Sequence, residues 1–340
     1  MTFPFNAYLA SFAGAICCAA LSLPWWRRWC VRHQHVDHPG HRKIHRQPVP
    51  LAGGLAVFTG IALPVVVGAL VFLGDWLAGA REGTLGSPLR LLDPATTALF
   101  AYGYQRRALQ LTVLGLGAVA MVGLGWLDDR HELRPAHKFA GQLLVAAAVA
   151  AAGVRITLFV EAPVFGYAIT ILWILTVTNA CNFMDNMNGL CAGLGVIGAW
   201  CFAWNGAVQG QFLVATVGFL TCGALVGFLP YNFPRATAFL GDAGSHLVGY
   251  LLAVLAILPN FYSPQTPTPL AVLKPLLILS PILGDLVAVV LLRWRLGKPF
   301  YVGDTNHFSH RLVRRGLRPT TAVLVLLLAA AGLGALSFAL

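Results

Sequence analysis

Residues 51–74 read LAGGLAVFTGIALPVVVGALVFLG, a run of apolar and small residues that contains no charged side chain. A helix of about 20 apolar residues is long enough to cross the ~30 Å hydrocarbon layer of a bilayer. The whole chain has the same character, because 58% of its 340 residues are hydrophobic and only 10% are charged. A soluble domain usually has ~25% charged residues. The sequence therefore predicts an all-α, polytopic integral membrane protein.

Ten stretches of comparable hydropathy are separated by short polar segments, which predicts about ten transmembrane helices in one multi-pass domain covering residues 1–340. The first stretch has no basic residue before it and is followed by arginines, so we expect a retained helix and no cleaved signal peptide. The predicted spans are roughly residues 3–26, 51–76, 109–127, 137–153, 166–181, 189–205, 211–230, 243–260, 270–292 and 319–339.

The basic residues predict the orientation of these helices. If the loop after the first helix is cytoplasmic, only six of the 23 Lys and Arg residues lie outside, namely Arg81, Arg90, Arg106, Arg107, Arg155 and Lys274. The positive-inside rule favours this arrangement, with both termini outside. The net charge of +11 is then a topological signal, and we expect no nucleic-acid partner because no soluble domain concentrates the basic residues.

The same orientation places most of the reactive side chains on cytoplasmic loops. Asp128 and Asp129 end the third predicted helix, and Lys138 begins the fourth. Adjacent carboxylates repel by about 4 kcal/mol at ~4 Å and an effective dielectric constant of ~20, so a cation should compensate them. Either Lys138 or a divalent ion could do so. A pair of solvated helix-end residues is the structural alternative.

Two further loops carry polar motifs. Asn179, Asn182, Asp185 and Asn188 recur every three residues, which predicts one polar face at the end of the fifth helix. Such a face is costly at a membrane boundary unless it binds a polar ligand or metal, or forms a satisfied cap network. Asp242 lies where Gly and Ser residues open the eighth helix, a setting that can hold phosphate on backbone N–H groups and Mg²⁺ on the carboxylate.

The last cytoplasmic loop contains His307 and His310, which a helix would place on one face for contact with phosphate or proton transfer. Asp285 lies within the ninth predicted helix, where an unpaired carboxylate costs ~2.5–3.5 kcal/mol. We therefore expect Asp285 to face the helix bundle and to pair with an arginine or an amide.

Five of these loops together resemble the polyprenyl-phosphate N-acetylhexosamine-1-phosphate transferases, a glycosyltransferase family 4 group, and in particular the bacterial undecaprenyl-phosphate GlcNAc-1-phosphate transferase branch. The resemblance covers about residues 35–318. The matching segments are D-x-P-x-x-R-K-x-H at Asp37–His45, D-D-x-x-x-L-x-x-x-x-K at Asp128–Lys138, N-x-x-D at Asn182–Asp185, F-L-G-D-x-G-S at Phe239–Ser245 and H-x-x-H at His307–His310.

The resemblance implies a Mg²⁺-dependent enzyme, with Mn²⁺ as a substitute, that transfers N-acetylhexosamine 1-phosphate from a UDP-sugar to undecaprenyl phosphate. In that family the product begins a cell-envelope polysaccharide such as O-antigen, common antigen, teichoic acid or capsule. The implied metal ligands are Asp242 and Asp129. The implied catalytic residues are Asp128, Asp129, Asp242, Lys138, His307 and His310. The implied substrate-binding residues are Asp37, Arg42, Lys43, His45, Asn182, Asp185, Asn188, Asn232, Phe239 and Arg311.

Several alternatives stay open at this point. Where many relatives have D-G-x-D-G, this chain has Asn186 and Asn188, which leaves its base or sugar preference undecided. A translocase of phospho-muramoyl-pentapeptide is disfavoured because the three consecutive histidines of that branch are absent. A transporter of an anionic solute would need ionisable groups near the bilayer midplane, where only Asp285 and Lys274 come close. A homodimer is one option for the assembly.

Overall fold

The computed structural model describes residues 4–39, 47–80, 94–157, 160, 162–259, 269–299 and 305–340, and these are almost entirely helical. A two-residue antiparallel ladder, β1 (Val36–Asp37) with β2 (Val49–Pro50), joins the two ends of the loop that follows the first helix. The helices are α1 (Phe5–Arg32), α2 (Gly53–Ala80), α3 (Pro94–His131), α4 (Pro135–Ala151), α5 (Pro163–Met184), α6 (Leu190–Val208), α7 (Phe212–Asn232), α8 (Gly241–Ile257), α9 (Lys274–Ile278), α10 (Ser280–Arg295), α11 (Phe308–Arg314) and α12 (Pro319–Leu336).

Each predicted span overlaps at least one of these helices, which confirms an all-α polytopic fold. Seven helices in the described part of the chain are long and apolar enough to cross a membrane, and a bent pair raises this to as many as eight. The remaining two predicted spans correspond to α4 and α8, each of 17 residues. At ~1.5 Å per residue, 17 residues reach only about 26 Å, so length alone does not make either one a complete span.

Two predicted spans differ from the helices that correspond to them. The ninth, residues 270–292, is broken between α9 and α10, which meet at 71°. Pro281 lies in the first turn of α10 and has no backbone N–H, so it cannot continue the helix before it. The third predicted span, 109–127, is only part of α3, which has 38 residues. Hydropathy identifies only the apolar part of a helix, whereas α3 extends through the more polar residues 94–108.

Helix α8 is the centre of the bundle. Most of its residues are buried, and it packs against α3 and α5, with further contacts to α2 and α6. An apolar helix enclosed on all sides is typical of a protein core. Gly54 on α2 lets the two backbones approach closely, since a Cβ atom there would collide with the backbone nitrogen of Gly244. The first turn of α8 is thereby held between its neighbours at the end of the bundle where the reactive loops lie.

Candidate active site

The first turn of α8 is fixed by a carboxylate from another helix. Asp129, near the end of α3, accepts the backbone N–H of Asp242 on Oδ1 at 2.8 Å and that of Ala243 on Oδ2 at 3.1 Å. Gly241 has φ of +71°, and a Cβ atom there would lie 2.8 Å from Asp129 Oδ2. Only glycine satisfies both the backbone conformation and the close approach. The G-D pair of the F-L-G-D motif therefore places Asp242 directly beside Asp129.

Lys138 lies at the centre of a group of oxygen atoms contributed by three other segments. Its ammonium nitrogen is 2.7 Å from Asp128 Oδ2, 2.8 Å from Asp242 Oδ2 and 3.2 Å from Asn182 Oδ1. Asn182 Nδ2 also donates to Asp242 Oδ1 at 2.7 Å and to Ser245 Oγ at 2.9 Å. We call Asp128, Lys138, Asn182 and Asp242 the lysine cluster. Of the two compensating cations that the sequence left open, Lys138 does pair with Asp128, whereas Asp129 is bonded to the backbone N–H groups of α8.

Exposure differs within the lysine cluster. The Asp128 side chain is 10% exposed and that of Lys138 17% exposed, whereas that of Asp242 is 32% exposed. Asp128 also accepts the Leu133 backbone N–H at 2.9 Å, so both of its oxygens are bonded. Asp242 is thus the most exposed of the three charged side chains in the cluster.

A cleft of about 1590 Å³ opens beside the lysine cluster. Residues from the α1–α2, α5–α6 and α7–α8 connections, from the end of α3, and from α11 and the segments flanking it line the cleft, so these parts of the chain share one end of the bundle. The predicted site residues that line it are Asp37, Asp129, Asp185, Asn188, Asn232, Phe239, Asp242 and His310.

Asp185 follows the end of α5 and is a further carboxylate close to Asp242. Burial and, to a lesser degree, the Asp242 charge raise the pKa of Asp185, a hydrogen bond from the Gly241 backbone N–H lowers it, and the net value is about 7. At neutral pH the protonated and ionised forms of Asp185 therefore coexist. Such a carboxyl group can either accept or donate a hydrogen bond toward a polar ligand.

The predicted single face of Asn179, Asn182, Asp185 and Asn188 was wrong, because α5 ends at Met184 and the helical period stops there. Asn179 instead pairs with the buried Gln142 on α4, donating to its Oε1 at 2.7 Å. Asn188 lies past the turn and donates to the Pro234 carbonyl at 3.3 Å.

Asn232 connects two of the loops that form the cleft. It is buried and accepts the Gly189 N–H at 2.6 Å on Oδ1, while Nδ2 donates to the Ala238 carbonyl at 3.0 Å. Its amide therefore holds the α5–α6 and α7–α8 connections together as well as lining the cleft.

The two histidines of the last loop have different environments. His310 lines the cleft, whereas His307 is buried and its Nδ1 lies 2.6 Å from Oδ2 of Asp285. Asp285 faces the bundle as expected, and its hydrogen-bond partners are the His307 ring and the backbone N–H of Phe308. Arg311 is exposed on α11 and is not among the described residues that line the cleft. Arg42, Lys43 and His45 fall outside the described residues.

Two basic residues of the cleft escaped the sequence analysis. Arg235 and Lys298 line it together with its acidic residues. Both lie on predicted cytoplasmic segments, so the charge distribution contained a signal for them, but neither belongs to a recognised motif. They add positive charge to a cleft whose acidic residues are Asp37, Asp129, Asp185 and Asp242.

The oxygen atoms around Asp242 suit a hard cation. Among the described residues no three His, Cys, Asp or Glu side chains are arranged to hold a metal ion by themselves. Mg²⁺ usually takes one or two protein carboxylates and completes its shell with phosphate oxygens and water. Lys138 already shows that a cation is stabilised between Asp242 and Asp128. The residues present therefore fit Mg²⁺ when a phosphate substrate supplies the other ligands.

The fold and the site together define a polytopic membrane enzyme with an acidic, lysine-containing site at one end of an apolar helix bundle. The model of Glycosyl transferase family 4 matches residues 111–260, which include the segments that carry the lysine cluster.

Several curated proteins are similar to this chain over most of its length. The decaprenyl-phosphate N-acetylglucosaminephosphotransferase of Mycobacterium tuberculosis (strain CDC 1551 / Oshkosh) is 35% identical over 86% of this chain and 72% of its own length. The "Probable undecaprenyl-phosphate N-acetylglucosaminyl 1-phosphate transferase" of Bacillus subtilis (strain 168) is 29% identical over 94% of this chain and 81% of its own. The undecaprenyl-phosphate alpha-N-acetylglucosaminyl 1-phosphate transferase of Escherichia coli (strain K12) is 26% identical over 87% and 74%. The chain belongs to glycosyl transferase family 4, on the branch that contains these relatives.

Proposed function

We propose that this chain transfers N-acetylglucosamine 1-phosphate from UDP-N-acetylglucosamine to undecaprenyl phosphate. A phosphate oxygen of the lipid attacks the β-phosphorus of the nucleotide sugar, and the bond from that phosphorus to the bridging oxygen breaks. UMP leaves, and undecaprenyl diphosphate carries the sugar. The observation that supports this most directly is the lysine cluster beside a large cleft at the end of an apolar bundle, because a lipid phosphate and a soluble nucleotide can meet there.

Both substrates of this reaction are anions, so catalysis depends on positioning and on neutralising charge. Lys138 supplies a fixed positive charge and is oriented by oxygens from three segments. Asp128 is bonded to Lys138 and engages the phosphate of the lipid, accepting its proton if the phosphate arrives protonated. Asp129 holds the first turn of α8 and so places Asp242.

When bound, Mg²⁺ neutralises phosphate oxygens and makes the β-phosphorus more electrophilic. Asp242 would hold it, and Asp129 would assist through the lone pairs that its backbone hydrogen bonds leave free. Mn²⁺, which prefers similar oxygen ligands, is expected to substitute.

The remaining cleft residues form the donor site in this proposal. Phe239 stacks on uracil, and Asp185, Asn188 and Asn232, together with Asn182 of the lysine cluster, form the polar wall around the nucleotide. The cationic or hydrogen-bonding groups assigned to the diphosphate and to other anionic contacts are His307, His310, Arg311, Arg42, Lys43 and His45. Asp37 is a further substrate-binding residue. A volume of about 1590 Å³ exceeds the ~300–1,000 Å³ of a typical small-ligand pocket, which accommodates a nucleotide sugar beside a lipid head group.

The topology follows from the same proposal. In this proposal the chain has ten spans, with α4 and α8 as short ones and the α9–α10 pair as a broken one. The cleft faces the cytoplasm and both ends of the chain lie outside, in the orientation that the positive-inside rule favours. UDP-sugars are soluble cytoplasmic metabolites, so this orientation supplies the donor directly. The bacterial plasma membrane is the expected location, the product is expected to begin a cell-envelope polysaccharide, and a homodimer remains one option for the assembly.

Purified protein in detergent or nanodiscs, supplied with Mg²⁺, UDP-N-acetylglucosamine and undecaprenyl phosphate, should release UMP and form the diphosphate-linked lipid sugar. Mass analysis of the lipid product across a panel of UDP-sugars identifies the preferred donor. Absence of UMP release with every donor tested would contradict the proposal.

A further inference from the structure

Within the described part of the chain, a buried acid–base pair that shares no residue with the lysine cluster is formed by Asp285 and His307. Asp285 on α10 is 0% exposed, and both of its oxygens are bonded to consecutive residues at the start of α11. Oδ2 lies 2.6 Å from His307 Nδ1, and Oδ1 accepts the Phe308 backbone N–H at 2.6 Å. A single carboxylate thus fixes both the backbone and the ring at the point where α11 begins.

This contact determines which nitrogen of His307 carries the proton. An ionised carboxylate only accepts hydrogen bonds, so Nδ1 must be the donor. Nε2 is then the ring nitrogen left to interact with a ligand. The ring is confined by Phe183, whose centroid lies 5.9 Å away at a steep interplanar angle, and by His310 at 6.3 Å. His310 lines the cleft, so His307 lies next to a residue of the cleft wall.

We infer that Asp285 is a positioning residue that sets the tautomer and the orientation of His307 for the transfer reaction. The inference rests on the proposed function, since it assigns His307 a part in that reaction. Asp285 itself is enclosed, and its bonds to His307 and Phe308 occupy both of its oxygens, so its effect on substrates passes through the ring. An unpaired carboxylate in an apolar bundle is costly, and its bonds to the imidazole and the amide offset that cost.

A second contact provides a matched control. Ser309 Oγ donates to Oδ1 of Asn186 at 2.6 Å and so also ties α11 to the rest of the protein. This tie does not involve the His307 ring. Ser309→Ala therefore loosens α11 without changing the tautomer of His307. Asp285→Asn keeps the shape of the side chain but replaces a hydrogen-bond acceptor facing His307 by a donor.

In Asp285→Asn, the new amide can donate to Nδ1, which moves the ring proton to Nε2. We expect kcat for UMP release to fall by about 10²-fold or more, as for a catalytic histidine held in the wrong tautomer, while KM for UDP-N-acetylglucosamine changes by less than about threefold. Ser309→Ala should lower kcat by no more than about fivefold. ¹⁵N NMR of histidine-labelled protein, with the His307 signal assigned by its loss in His307→Asn, should show Nδ1–H in the parent and Nε2–H in Asp285→Asn.

The variant His307→Asn completes a double-mutant cycle, because an asparagine amide can still donate to Asp285 but provides no Nε2. If Asp285 acts through His307, adding Asp285→Asn to His307→Asn lowers kcat by less than about twofold further. Additive losses, an unchanged tautomer, or a kcat of Asp285→Asn within about threefold of the parent would each overturn the inference.

If Asp285→Asn is not recovered as folded protein, the test passes to His307→Asn, which retains the bond to Asp285. The kcat of a folded His307→Asn protein should be lower than that of the parent by about 10²-fold or more, and near-parental activity would overturn the inference. A parent protein that releases no UMP would instead contradict the proposed function itself.

Discussion

The lysine cluster and the Asp285–His307 pair both place a carboxylate against a basic side chain inside an apolar bundle, yet they are built differently. In the lysine cluster one ammonium is shared among oxygens from three segments, and Asp242 remains 32% exposed. The Asp285–His307 pair is enclosed, and its carboxylate bonds only to neighbouring positions of one segment.

The two arrangements therefore differ in whether they can exchange ligands. A cation surrounded by several partly exposed oxygens can exchange with a metal ion or a phosphate, because the carboxylates keep lone pairs for other ligands. A closed pair has no room for exchange and serves to fix geometry. Substitutions in the two regions should therefore differ in their effect on metal dependence as well as on rate.

The largest effect is expected at the open end of the lysine cluster. Asp242→Asn keeps the shape of the side chain but removes the charge that would hold Mg²⁺, so kcat/KM for UMP release should fall by about 10³-fold or more. The measurement is UMP release across a Mg²⁺ titration. Glu132→Gln, an exposed carboxylate in the turn after α3, is the control and should stay within about twofold.

If Asp242→Asn and Asp285→Asn show the same dependence on Mg²⁺, the two regions do not differ in metal binding. We expect the metal requirement to change only at Asp242. Unchanged Mg²⁺ dependence in Asp242→Asn would contradict the assignment of the metal to this residue.

Lys138→Met separates two roles of the ammonium. Its removal should lower kcat by about 10²-fold, since a positive charge on the phosphates is lost. The same change leaves Asp128 and Asp242 without a shared cation, so Mn²⁺ should bind about tenfold more tightly. Electron paramagnetic resonance of Mn²⁺ measures this affinity without turnover. Weaker binding of Mn²⁺ in Lys138→Met would show that the ammonium and the metal do not compete.

A smaller effect is expected from the backbone that supports the cluster. Gly241→Ala forces a non-glycine residue into positive φ and brings a Cβ atom against Asp129, which should cost about 1–2 kcal/mol or more and lower the thermal midpoint. Gly123→Ala on α3 is the control, since a Cβ atom there meets nothing within 4 Å. Fluorescence-monitored thermal unfolding compares the two. Equal midpoints would remove the argument for glycine at 241.

The smallest effect is expected at the turn that joins the two regions. Asn186→Gly removes the bond from Ser309 but leaves the bond between Asp285 and His307 in place, so kcat should change by less than about threefold. Steady-state kinetics with UDP-N-acetylglucosamine check this. A loss comparable to that of Asp285→Asn would mean that anchoring α11, and not the tautomer of His307, is what matters.

Local sequence reasoning named Lys138 or a divalent ion as the compensation for Asp128 and Asp129, because adjacent carboxylates repel, and the structure pairs Lys138 with Asp128. It also located Asp242 at the start of α8 from the glycines around it. The single face for Asn179 to Asn188 was wrong, since a helical period says nothing about where the helix ends. Arg235 and Lys298 could not be identified, because no periodicity or motif connects an isolated basic residue to a cleft formed by distant segments.

The sequence by itself determined the all-helical membrane fold and the loops that carry the chemistry, because apolar runs and charge bias act locally along the chain. Only the tertiary structure decided how those side chains are paired. Lys138 and Asp242 are 104 residues apart and Asp285 and His307 are 22 apart, so their contacts exist only where packing brings helices together. Burial then decided which pair stays open to a ligand and which one is closed, since exposure is a property of the packed bundle and not of any one segment.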